Sequence, residues 1–78
     1  MWYVYFLELS NKNIYVGHTR DLKERILYHQ DGLVKSTSLY RPHKLKSYIA
    51  VETQKIAMQL EKYFKSGSGQ AVAKKRFW

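Results

Sequence analysis

The chain has 78 residues, no cysteine, and 14 lysines and arginines against 6 acids, for a formal net charge of +8 at pH 7. That length predicts a single domain over residues 1–78 with one small core, and the lack of cysteine excludes disulfides, thiolate metal sites and thiol redox chemistry. So large a cationic excess favours a polyanionic partner, nucleic acid first, although a basic surface also serves solubility.

The opening MWYVYFLEL is rich in aromatic and branched residues on both faces, as in a strand covered on both sides. It is too short to span a membrane and lacks the basic leader of a signal peptide, so a cytoplasmic protein with no membrane partner is expected. SNKN at 10–13 reads as a turn, and residues 14–18 read as a second strand closing an antiparallel hairpin with residues 2–9. Thr19 and Asp21 suit a helix start and Gly32 a helix end, which predicts a helix over 20–30. Residues 33–43 lack a sustained period and read as a loop with room for one helical turn.

LKSYIAV at 45–51 reads as a third strand, with Leu45, Ile49 and Val51 expected on one face. Thr53 can cap a helix whose apolar residues Ile56, Ala57, Leu60 and Phe64 keep the 3.6 period as far as Lys65. SGSG then ends that helix, and QAVAKKRFW suits a short closing one. The order β-β-α-β-α with a short C-terminal helix predicts an α+β domain, a small three-stranded antiparallel or mixed sheet flanked by helices.

The first helix has an unusual inner face. Leu22, Ile26, Arg25 and His29 fall on one side at 3.6 residues per turn, so the stripe facing the hairpin is half apolar and half basic. An arginine can lay its methylenes on a core and extend its head into water, and a histidine can donate to a nearby carbonyl. Tyr5, Tyr15 and Gly17 are also within reach of this helix, and Gly17 permits close approach of a ligand or another backbone. Whether the tyrosines share a sheet face depends on the turn. A four-residue loop separates them, whereas a three- or five-residue loop puts them together. Glu61, the only acid inside the second long helix, lies beside Ala57 at the margin of the apolar face, where it can either pair with Lys65 or reach a cleft.

Several stretches taken together resemble a known family. Tyr3-Val4-Tyr5, Tyr15-Val16-Gly17, Arg25 with His29 one turn on, and Glu61 resemble the signature of the GIY-YIG nuclease superfamily. KSTSLYRPHKL and LEKYFKSGSG resemble stretches of its small stand-alone bacterial members, which are related to the excinuclease C N-terminal domain. The resemblance covers nearly the whole chain and implies the GIY-YIG fold.

The function it implies is a DNA endonuclease or nickase that hydrolyses phosphodiesters with a divalent cation. By matched position it gives Tyr5 and Tyr15 a place near the attacking water, Arg25 the scissile phosphate, Glu61 the metal and His29 a supporting proton-transfer or phosphate contact. These roles suit the chemistry, because attack builds negative charge that a guanidinium and a metal ion can stabilise. The six acids are scattered, which favours one Mg²⁺ or Mn²⁺ held weakly by Glu61 over a two-ion cluster. Gly17, His18, Arg20, Lys23, Lys35, Arg41, Lys65, Lys74 and Lys75 are the expected DNA contacts.

Two departures stand out. Tyr3 replaces the first glycine of the motif, and no C-terminal asparagine follows Glu61. With no further DNA-targeting segment, specificity is left to the 33–43 loop, to DNA structure or to a protein partner. The alternative is a nucleic-acid-binding module on the same fold that has lost useful catalysis.

Overall fold

Aromatic and branched residues build the centre of the molecule. The computed structural model describes residues 1–78, and in it β1 (Trp2–Glu8) runs between β2 (Ile14–Thr19) and β3 (Lys44–Val51) in a three-stranded sheet of order β2-β1-β3. Both pairings are antiparallel. The helices are α1 (Leu22–Gln30), α2 (Gln54–Lys65) and α3 (Gly67–Arg76), and a single 3-10 turn at Ser38–Tyr40 interrupts the 33–43 loop.

Glu8 pairs with Ile14, so the hairpin loop is the five residues 9–13. This register places Tyr5 opposite Gly17 and Leu7 opposite Tyr15. Directly opposed residues share a face, so both tyrosines point to the same side.

The sheet divides the interior in two. On one side Val4, Phe6 and Val16 pack with Ala57 and Phe64 of α2 and Ala73 of α3, joined by Trp2, Ile49, Phe77 and Trp78. On the other, Tyr5, Leu7 and Leu9 pack with Tyr15 and with Leu22 and Ile26 of α1.

Local chemistry fixes the helix ends. The Asp21 carboxylate accepts from the Glu24 amide at 3.0 Å, and the Thr53 hydroxyl accepts from the Ile56 amide at 3.2 Å.

Two expectations need correction. Leu45 does not share a face with Ile49 and Val51: a bulge at Lys46 pairs Leu45 with Leu7, on the α1 side, while Ile49 pairs with Val4 on the other. SGSG starts a helix as much as it ends one. Ser66 caps α3 by accepting from the Gly69 amide at 3.2 Å, and a Cβ at Gly69 would strike the Tyr63 carbonyl at the end of α2. The closing helix is therefore ten residues long and joins α2 through Ser66 alone.

Candidate active site

The α1 face and the β2 edge meet at Tyr5. Its side chain is fully buried, and its ring lies over Gly17, where an added Cβ would come within 2.6 Å of Cζ. Only a glycine opposite Tyr5 lets the phenol extend across β2. The hydroxyl ends 2.9 Å from His29 Nε2. Tyr15, half-buried, packs edge-on to the His29 ring with centroids 5.0 Å apart.

The partners of this chain assign its protons. Thr37 Oγ1 donates to the Val34 carbonyl at 3.3 Å, so it accepts from His29 Nδ1 at 2.8 Å. With its proton on Nδ1, His29 offers Nε2 as an acceptor, and the Tyr5 hydroxyl donates to it. Arg25, a donor only, lies beside the same hydroxyl.

Electrostatics keep both members of the pair neutral. Burial pushes the Tyr5 phenol up to about 12, against the opposing pull of Arg25, and Glu61 adds to the rise. Burial, then the charge of Arg25 and the presence of His43, push His29 down to about 4. The contact with Tyr5 in turn raises Arg25 further above its already high value. Arg25 Nε is nevertheless buried with no protein partner. A cationic donor left free beside a phenol is an unspent hydrogen bond.

The depressed His29 pKa links stability to pH. The unfolded histidine binds its proton near pH 6.5 and the folded one near pH 4, so stability falls as pH drops through that window and levels off below it. The loss expected from this one group is on the order of 3 kcal/mol. Urea denaturation at pH 7 and pH 4 measures it, and His29→Gln should remove most of the difference.

Glu61 arrives from the opposite face. Its Oε1 lies 3.0 Å from His18 Nδ1 and its Oε2 3.3 Å from Lys65 Nζ. Arg25 and Glu61 thus sit on helices that flank the sheet on either side, and the charges of both act on the Tyr5 phenol. No group of three or more His, Cys, Asp or Glu side chains is placed to hold a metal ion. The donor set here, one carboxylate with one imidazole beside it, fits a single weakly held ion completed by water and phosphate oxygens, and not a two-ion cluster.

The basic residues differ in what they can offer. Arg20 and Lys23 rim an open apolar hollow of about 640 Å³ lined by Tyr3, Leu22, Ile26 and Tyr48. Arg20 also borders a smaller hollow of about 250 Å³ that contains Arg25 and Tyr28. Lys35 and Lys75 are exposed. Lys74 lies beside Ile14, at the start of β2, apart from Gly17 and His18 near its end. Arg41 donates to the carbonyls of Ser38 and Gln30 and packs on Gly32, so it ties the 33–43 loop to the end of α1. Lys65 is engaged by Glu61.

Two residues of this neighbourhood were not singled out by sequence reasoning. Thr37 is fully buried and fixes the His29 ring, and His43 Nε2 donates to the Thr37 carbonyl at 2.8 Å while its own ring stands edge-on to His29. Both fall in the stretch KSTSLYRPHKL, so the resemblance there was the available signal.

Residues 1–76 match the family model described as the GIY-YIG catalytic domain. The chain belongs to the GIY-YIG family. Similar members include UPF0213 proteins of Streptococcus pyogenes serotype M5 (strain Manfredo) and serotype M28 (strain MGAS6180). Each is 38% identical over 64 residues, covering 81% of this chain and 70% of the relative. The solution NMR structure of a UPF0213 protein from Bacillus halodurans is similar over 99% of this chain and 87% of that one, with 29% identity and a TM-score of 0.62. Membership of the GIY-YIG family places the domain in a nuclease superfamily, and no helix of it is long and apolar enough to cross a membrane.

Proposed function

We propose that this GIY-YIG domain is a metal-dependent DNA endonuclease or nickase that hydrolyses phosphodiester bonds. The observation that carries the reading is Arg25, a permanently charged guanidinium with a buried, unpartnered Nε beside the Tyr5 hydroxyl. The same side chain lines a hollow with Arg20 and Tyr28, where a phosphate oxygen can accept from the guanidinium. As charge grows on the phosphate during attack, this contact strengthens, which is the condition for catalysis.

The other residues divide the work by exposure. Tyr15 is partly open to solvent and suits orienting the attacking water. Tyr5 is enclosed and donates its proton in a hydrogen bond to the neutral His29 Nε2, which fixes the phenol beside Arg25. Thr37 keeps the ring in the tautomer that makes this possible. Glu61 would hold one Mg²⁺ or Mn²⁺, whose chemistry is to neutralise charge on the phosphate and ease ionisation of water. DNA is held by exposed cations, of which Arg20, Lys23 and Lys35 are the freest near α1 and the loop that follows, so affinity should fall steeply with salt.

The test is incubation of the domain with labelled single-stranded, duplex and branched DNA in Mg²⁺, Mn²⁺ or EDTA, alongside Glu61→Ala. Cleavage that needs the ion and drops at least about 100-fold in folded Glu61→Ala is the expected result. Binding without cleavage under every condition would favour the catalytically inactive binding module.

A further inference from the structure

We propose that His18 is a direct ligand of the ion beside Glu61, and that the pair selects an imidazole-accepting dication such as Mn²⁺ or Ni²⁺ over Mg²⁺. This rests on the reading of Glu61 as the metal-bearing carboxylate and adds to it a second ligand and a preference among ions.

The geometry of the pair supports the inference. His18 stands on β2 and Glu61 on α2, 43 positions apart in the chain, yet their donor atoms are 3.0 Å apart. Two adjacent ligands of an octahedral ion, each bonded at about 2.1 Å, are separated by about 3.0 Å. An ion off the line between the two atoms can therefore replace the proton they share once the imidazole and the carboxylate turn their lone pairs toward it. Both side chains are partly accessible, at 23% and 22%, so the ion has a route in and open positions for water or phosphate.

The surroundings favour the exchange. The Trp2 ring packs beside His18 with centroids 6.1 Å apart and covers one side of the imidazole. Lys65, the only other group holding the carboxylate, is more than half exposed and can swing into solvent. Gly17, the residue before His18 on β2, carries the Tyr5 phenol on the opposite face, so a dication on His18 and Glu61 would stand one residue along the strand from the Tyr5 cluster.

Ligand type decides which ion gains. Mg²⁺ sheds water reluctantly and takes oxygen ligands, whereas imidazole suits the later first-row dications, with affinity rising from Mn²⁺ to Ni²⁺. A carboxylate alone distinguishes these ions weakly, so any strong preference reports the histidine.

Titration calorimetry with Mg²⁺, Mn²⁺ and Ni²⁺ on the full chain provides the test, with the broadening of backbone amide NMR signals by Mn²⁺ giving the location. Ni²⁺ should bind at least about tenfold more tightly than Mg²⁺, and Mn²⁺ should broaden the signals of residues 17, 18 and 61 first. His18→Ala, shown by circular dichroism to be folded, should lose the Ni²⁺ preference while keeping its Mg²⁺ affinity within about threefold. Glu61→Gln should weaken all three ions. Equal Mg²⁺ and Ni²⁺ affinity in the wild type overturns the proposal, and so does a preference that survives in His18→Ala. Cleavage measured in parallel separates the two readings. His18-dependent Ni²⁺ binding without cleavage defeats the endonuclease and leaves the ligand assignment standing. Glu61-dependent cleavage in a protein with no ion preference does the reverse.

Discussion

Arg25→Ala should lower the single-turnover rate of DNA cleavage by about 100- to 1000-fold while leaving the domain folded. The magnitude is that of removing one preorganised donor from a developing oxyanion, about 3–4 kcal/mol of transition-state stabilisation. Folding should survive because the residue is only partly buried and its Nε has no partner to lose. Arg25→Lys should recover little, since an ammonium on a flexible stem cannot present two fixed donors to a phosphate. A separate readout checks the placement. Arg25 is one of the causes holding the His29 pKa low, so an NMR titration should find that value higher in Arg25→Ala than in the wild type. A variant that cleaves at the wild-type rate would remove Arg25 from the chemistry.

The largest loss of stability is expected from Phe6→Ala, at about 3–5 kcal/mol. Phe6 is completely buried. Phe64 and Trp78 meet its ring edge-on at 5.2 and 6.0 Å, and Phe77 stacks on it at 5.7 Å. Removing it leaves three aromatic rings around a void that a short, hydrogen-bonded strand cannot close. A domain of this length has roughly 4–12 kcal/mol of stability in all, so the variant should be marginal or unfolded at room temperature. Urea denaturation measures the loss, and Phe6→Leu should cost markedly less. A Phe6→Ala midpoint near that of the wild type would mean the aromatic cluster is not the keystone described above.

Much of this architecture was legible from residue pattern. The hydroxyl and carboxylate caps at Asp21 and Thr53, the apolar period of α2 and the mixed face of α1 are local signals, and each lies where the side chains themselves dictate the backbone. What escaped depends on long-range contact or on a single backbone choice. The five-residue loop that puts Tyr5 and Tyr15 on one side is set by turn geometry, which SNKN does not specify. The bulge at Lys46 reverses Leu45 without any break in the strand pattern. Gly69 looks like a helix breaker until the Tyr63 carbonyl is seen packed against it. In the site, Arg25 and His29 announced themselves by lying on a face that should be apolar. Thr37 gave no such sign, because it stands in an aperiodic loop and its meaning comes only from the imidazole it holds. The pairing of His18 with Glu61 was equally hidden, since nothing in either neighbourhood indicates that the two approach each other.

Strand β1 carries two messages in alternate letters. Val4 and Phe6 look toward the greasy aromatic side, while Tyr5 between them looks toward the imidazole and the guanidinium. Mutational drift at positions 4 and 6 is consequently filtered by whether the domain survives, and drift at position 5 both by that and by what the domain does.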